Sequence, residues 1–348
     1  MKKLICALIP AALLLSGCSG GSIYTNYREV EQLTVIQTMG FDRSPDGITL
    51  SVSTGNSGGG SSENSSVTRM SATAGTISLA QDEMRDHSAS EELFFAHSSY
   101  IVIGEDTAKQ GISPYLDYIS RSVSLREGTP LFIIAGDTAK ALVLGAGGED
   151  YDVTNVLRSL ERNIDHRGDL HIFTAANITA DLNRRGACLV TAIECVDAKE
   201  LIEGADDDDL TAVPAGYAVI KNGKMAGILG LDAARGIAIL RNELKSCYVE
   251  LGDAAVLTDN CKCKIDAERH EIRVSLSAAL AEGDDDPEAL GAALKNTAEK
   301  WIRAALDAAD IYACDFIGIE APDYSKYNIN VYAELGRSFD IDSTEDAQ

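Results

Sequence analysis

Short runs without a polar residue recur along this chain, separated by segments whose apolar residues return at helical spacing. That alternation limits the fold more than any other feature of the sequence. Tyr100-Ile101-Val102-Ile103 and Pro130 to Ala135 read as buried strands. Between them Ile112, Tyr115, Leu116 and Ile119 recur three and four residues apart, and Asp106-Thr107 offer an N-cap for a helix running to Ser122. Asp137 is expected to cap a further helix, ended by Gly145-Ala146-Gly147-Gly148. Val153, Val156, Leu157, Leu160 and Ile164 share one face of the next helix. Ile172 to Arg185 predicts another, and Gly186 leads into a strand from Ala187 to Val196. Strands interleaved with helices predict a mixed α/β, multi-domain protein of α+β type, with mixed sheets and packed helices.

The flanks follow the same logic. Glu31 to Asp42 and Ile48 to Ser53 predict two strands joined at Pro45-Asp46-Gly47. Thr54 to Ser66, with Gly58-Gly59-Gly60, is too poor in apolar groups to offset its ordering entropy and reads as an exposed loop. Val67 to Thr73 predicts a strand and Thr76 to His87 a helix. The run Asp206-Asp207-Asp208-Asp209 repels itself and is expected to be a solvated linker over 204–212. It would divide an N-terminal mixed α/β region, 28–203, from a C-terminal α/β region, 213–339. In the latter, Asn222-Gly223 supplies the positive φ values of a type I′ hairpin turn. Asp232 is expected to cap a helix through Leu244. Ile272, Val274, Leu276, Ala278 and Leu280 alternate as a strand. Asp284-Asp285-Asp286-Pro287 opens a long helix whose stripe includes Leu290, Leu294, Thr297, Trp301, Ala305 and Ala308. Ile329, Val331, Ala333 and Leu335 alternate as a closing strand, before an acidic tail, 340–348, expected to be disordered.

At the start of the chain Lys2 and Lys3 precede an apolar run, Leu4 to Leu15, and then Ser16-Gly17-Cys18. This is the layout of a signal peptide, 1–17. Leu15-Ser16-Gly17-Cys18 resembles the bacterial lipobox, which makes Cys18 the expected lipidation site at the head of a polar tether, 18–27. Acyl chains anchor by roughly 0.8 kcal/mol per buried CH₂, so more than one chain holds a protein stably at a membrane. The formal net charge of −24 argues against nucleic acid and against electrostatic docking on anionic lipid.

No enzyme template is met. There is no Gly-x-Ser-x-Gly elbow, no His-Glu-x-x-His helix and no phosphate-binding loop, and the Gly145 run follows a helix instead of opening one. The five histidines show no metal spacing, and His97 reads as a core or rim residue. Neither a cofactor nor a metal is expected. Cys261-Lys262-Cys263 is too closely spaced for a zinc knuckle. Cys188, Cys195, Cys247, Cys261, Cys263 and Cys314 could pair in an exported chain, with connectivity that sequence does not specify, while Cys188 and Cys195 also fit as buried free thiols.

Three stretches behind the lipobox resemble one family, the Ger(x)C proteins, lipoprotein C subunits of spore germinant receptors. The first is Arg28-Glu29-Val30-Glu31 with Gly40-Phe41-Asp42. The family's Trp-Asp pair after the lipidated cysteine is replaced by Ser19-Gly20. The second runs from Leu93 to Glu105, includes His97 and Ile103-Gly104-Glu105, and is followed by Gly111-Ile112 and Leu116-Asp117-Tyr118. The third runs from Ala218 to Gly230 and continues with Asp232 and Arg235-Gly236, where Asp232-Ala233 replace the family's Glu-Thr. Asp315-Phe316-Ile317-Gly318 is similar to a late family motif.

The resemblance implies a three-domain mixed α/β architecture on the outer face of the inner spore membrane. It also implies a complex with two polytopic subunits, of A and B type, that respond to nutrient germinants. It supplies no catalytic residue. It marks His97, Gly104, Glu105, Gly230, Asp232 and Gly236 as positions of structural or partner-contact role. The expected function is a non-catalytic receptor subunit. The alternative is a solute-binding lipoprotein serving a transporter, which would need a pocket with convergent polar groups.

Overall fold

The computed structural model describes residues 33–55, 67–88, 92–145, 151–201, 210–283, 286–318 and 324–336. The expectations for the signal peptide, Cys18 and its tether, most of the loop 54–66, Asp206 to Asp209 and the tail 340–348 lie outside these residues.

The fold is α+β, with eight α-helices and three sheets among the described residues. The first elements are β1 (Leu33–Val35), β2 (Thr38–Ser44), β3 (Gly47–Ser53), β4 (Arg69–Ala74), α1 (Ile77–His87), β5 (Glu92–Phe94) and β6 (Tyr100–Gly104). Then come α2 (Glu105–Gln110), α3 (Ser113–Arg121), β7 (Leu131–Ala135), α4 (Ala139–Leu144), α5 (Val153–Arg167), α6 (Ala175–Arg185) and β8 (Ala187–Asp197). The chain continues with β9 (Leu210–Lys221), β10 (Lys224–Leu229), α7 (Leu231–Leu240), β11 (Tyr248–Leu251), β12 (Ala254–Asp266), β13 (Glu271–Glu282), α8 (Pro287–Tyr312) and β14 (Asn328–Gly336).

Eight strands form one mixed sheet in the order β10-β9-β8-β7-β6-β2-β3-β4. Its centre, β2-β6-β7-β8, is parallel. Central parallel strands are covered on both faces, and Ile101, Val102, Ile103 and Leu131 to Ile134 are accordingly fully buried. Helix α1 lies against β3 and β4, α4 against β2 and β3, and α6 against β8. A second sheet, β11-β12-β13-β14, ends in the parallel pair β13-β14, joined through α8. The third sheet is the short parallel pair β1-β5. One continuous apolar core runs through both large sheets. Each fully buried Leu, Ile or Phe in it is worth about 1.5–3 kcal/mol.

The division expected at 204–212 falls between two strands of one sheet. Strands β8 and β9 pair from Ala187↔Lys221 to Asp197↔Leu210, so residues 210–212 already belong to the ladder. The change of sheet comes later, after α7. Strands β11 and β12 were not anticipated from the sequence.

Three helix boundaries also differ. The segment expected as one helix from Asp106-Thr107 is two, α2 and α3, because the Ile112 N–H bonds the Gly223 carbonyl at 2.8 Å instead of continuing the helix. Helix α4 is capped by Thr138, whose hydroxyl accepts from Ala141 N, and not by Asp137. Helix α7 is capped by Gly230 and ends at Leu240, leaving Asp232 inside its first turn.

Candidate functional site

The Gly40-Phe41-Asp42 and Gly104-Glu105 motifs meet at the start of α4. Asp42 is buried, and its two carboxylate oxygens accept the N–H groups of Ala139 (2.9 Å) and Lys140 (2.7 Å). The first N–H donors of the helix find their acceptor on a strand residue about a hundred positions earlier, a cap supplied at long range. Burial pulls the Asp42 carboxyl up from the usual range, and the two backbone donors pull it back down by less. A Cβ at Gly104 would overlap Asp42 Oδ1, and a Cβ at Gly40 would press on Ala139 and Val143 of α4. Both glycines let the helix and its cap come this close. Glu105 holds the preceding turn: it accepts from the Gly136 N–H, and Lys109 Nζ lies 2.7 Å from its other oxygen. Lys109 first, then Gly136, hold its carboxyl below the usual range.

The third motif docks on the second. Asn222 and Gly223 adopt φ of 50° and 77°, as a type I′ turn requires. Besides the Gly223 bond to Ile112, the Asn222 N–H bonds the Gly186 carbonyl at 2.7 Å. Lys221 Nζ donates to the carbonyls of Tyr312 (2.9 Å) and Ala313 (3.4 Å), at the C-terminus of α8, where a cation meets the negative end of the helix dipole. The hairpin thus ties the α2–α3 turn, the α6–β8 turn and the end of α8 together.

The rest of the third motif joins α7 to α8. A Cβ at Gly236 would fall on the Trp301 carbonyl, so the two helices touch backbone to backbone there. Trp301 Nε1 donates to Asp232 Oδ1 at 3.1 Å, Lys300 Nζ pairs with Asp232 Oδ2 at 2.7 Å, and the Arg235 guanidinium lies 5.1 Å from the centre of the Trp301 ring. Arg235 also reaches Asp169, which is nearly fully buried after α5, at 3.4 Å, with Arg167 at 3.6 Å on its other oxygen. Sequence reasoning missed Asp169: its one local signal is its place directly after the helix stop Gly168. Around Gly230 no atom would meet a Cβ within 4 Å, so sterics do not require glycine there.

His97 is not brought to any of these places. It is exposed, on the turn after β5, with its ring centre 5.6 Å from that of Phe94. The neighbouring Ser98 hydroxyl bonds the carbonyls of Phe95 (2.9 Å) and Ile36 (3.4 Å).

The turn Asp315-Phe316-Ile317-Gly318 follows α8. Asp315 Oδ1 accepts the N–H groups of Ile317 (3.1 Å) and Gly318 (2.6 Å), while Arg241 donates to the Phe316 carbonyl and Arg185 to the Asp315 carbonyl. The six cysteines within the described residues are free thiols. Burial pushes Cys195 and Cys261 up to about 12 and Cys263 up to about 11, so these thiols stay protonated near neutral pH, the form that neither attacks nor ligates well. Among the described residues, no three His, Cys, Asp or Glu side chains stand close enough together to hold a metal ion.

Residues 26–194 match the spore germination protein N-terminal domain family. This stretch of the chain therefore carries a spore germination protein N-terminal domain. A solved structure titled as the crystal structure of the GerBC protein is similar at 13% identity and a TM-score of 0.48, covering 86% of this chain and 96% of that one. No match is found among curated proteins.

The matched segment begins before β1 and ends inside β8. It therefore contains the whole Asp42–Gly104–Glu105 arrangement around α4, and the hairpin that docks on it comes from beyond the segment. No described helix is long and apolar enough to cross a membrane.

Proposed function

We propose that this protein is a Ger(x)C family member, the C subunit of a spore germinant receptor, a non-catalytic lipoprotein held at the outer face of the inner spore membrane by acyl chains on Cys18. In this reading it assembles with polytopic subunits of A and B type and takes part in nutrient-triggered germination. The observation that carries it is the spore germination domain over residues 26–194, close behind a lipobox. The way the motif polar groups are used supports a binding role: Asp42 caps a helix, Glu105 holds a turn and Asp232 joins two helices. A lipid that confines the chain to the membrane surface would raise its effective concentration near integral partners.

The test is affinity capture of the tagged full chain from detergent-solubilised membranes of sporulating cells, with partners identified by mass spectrometry. Two polytopic germination subunits are expected. Recovery of a transporter permease in their place would refute the proposal and favour solute delivery.

A further inference from the structure

Arg185 at the end of α6 and Lys221 at the end of β9 face one cavity of about 320 Å³, lined also by Asn222, Cys314, Asp315 and Gly318. Its walls come from three distant parts of the chain: the α6–β8 turn, the β9–β10 hairpin and the turn after α8. Lys221 is held by the Tyr312 and Ala313 carbonyls, and Arg185 by the Asp315 carbonyl at 3.4 Å.

These partners are neutral, and neither cation has a carboxylate within 4.0 Å among the described residues. In a chain of net charge −24, Arg85, Lys109, Arg121, Arg184, Arg235 and Lys300 by contrast each have one, and what distinguishes Arg185 and Lys221 is that both line the same cavity. The Asp315 carboxylate, which also lines the cavity, accepts the Ile317 and Gly318 N–H groups of its own loop.

Carbonyl bonds fix the two cations without neutralising them, and both keep donors in reserve. A guanidinium offers five N–H groups in a planar fork that matches a carboxylate or a phosphate, and an ammonium adds a point charge with three. The cavity is near the lower end of small-molecule sites, about 300–1,000 Å³, which fits a metabolite-sized ligand. We propose that this cleft binds a small oxyanion, the carboxylate of an organic acid or a phosphate group, between Arg185 and Lys221. The bound anion would join the family domain to the hairpin and to the end of α8. The site requires neither the lipid nor receptor partners, so its failure would leave the receptor reading standing.

The full chain in detergent is titrated by calorimetry with acetate, succinate and inorganic phosphate at constant ionic strength, with chloride as control. Saturable binding of a carboxylate or of phosphate is expected, and which of them binds assigns the source. Arg185→Gln should weaken it at least about tenfold, the scale of a lost hydrogen bond to a charged group. Arg184→Gln, one residue away and paired with Asp181, should leave it unchanged. Hydrogen exchange of the unsubstituted chain gives a reading independent of any variant: the anion should slow exchange in segments 185–188 and 314–318. No saturable binding, equal binding by the Arg185→Gln chain, or protection confined to other segments would overturn the proposal.

Discussion

Gly104 lies under the Asp42 carboxylate, so that a Cβ on Gly104 would overlap the oxygen that accepts the Ala139 N–H. One residue of β2, one of β6 and the first turn of α4 are therefore a single packing unit. Gly104→Ala must displace either the cap or the helix. The expected cost is about 2–3 kcal/mol, combining overpacking with a weakened cap. Asp42→Ala removes the partner of two N–H groups and should cost about 1–3 kcal/mol. With the carboxylate gone the added methyl meets less, so the double variant should be more stable than the sum of the singles predicts by about 1 kcal/mol or more. Urea unfolding of the four chains measures this cycle. Strict additivity would mean that Gly104 and Asp42 act separately.

Gly236 makes a comparable prediction in the second half of the chain. Gly236→Ala places a methyl against the Trp301 carbonyl and must push α7 and α8 apart. A loss of about 2–3 kcal/mol is expected. Trp301, the chain's one tryptophan, should gain solvent and lose its bond to Asp232, shifting its emission to the red. An unchanged melting temperature together with unchanged emission would rule out the close helix contact.

The parts of the fold legible in the sequence are those whose causes are local. Residues 100–103 and 131–134 need no period to read as strands, because both faces of β6 and β7 are covered. Asn222-Gly223 announces its turn through its φ values, and Asp286-Pro287 its helix through a cap and a fixed φ. What was not legible depends on distant partners. The helical spacing from Ile112 to Ile119 extends back past Gly111, yet the helix breaks there because Gly223 claims the Ile112 N–H. Strand β12 hides its period because its pairing with β13 shifts register between Thr258 and Asn260, which breaks the alternation. At the candidate cleft, Arg185 and Lys221 are thirty-six residues apart and meet only once β8 and β9 pair.

Glu105 gives the chain a small sensitivity to acid. Lys109 and the Gly136 N–H hold its carboxyl below its usual value. A carboxylate whose pKa is lowered on folding adds stability above the unfolded value, about 4.3, and loses it as pH falls through the folded one. Protonation frees Gly136 and loosens the turn into α4. Glu105→Gln should therefore lower the melting temperature slightly at pH 7, by about 2 °C or less for so exposed a pair. The gap between the two chains should narrow as pH falls below the unfolded value. A constant gap across that range would assign the effect to packing alone.

Cys18 carries the last prediction, which bears directly on the proposed role. Position 18 stands fifteen residues before the first described strand, so a lipid there would hold the domain close to the membrane surface. Acyl chains would then supply residence at the membrane, and protein contacts would supply orientation. Cys18→Ala should move the chain from the membrane to the soluble fraction and impair germination. A folded but soluble Cys18→Ala chain should also recover fewer polytopic partners in the capture experiment, because two-dimensional confinement is lost. Full membrane retention with normal germination would show that the partners alone hold the subunit and that the lipid is dispensable.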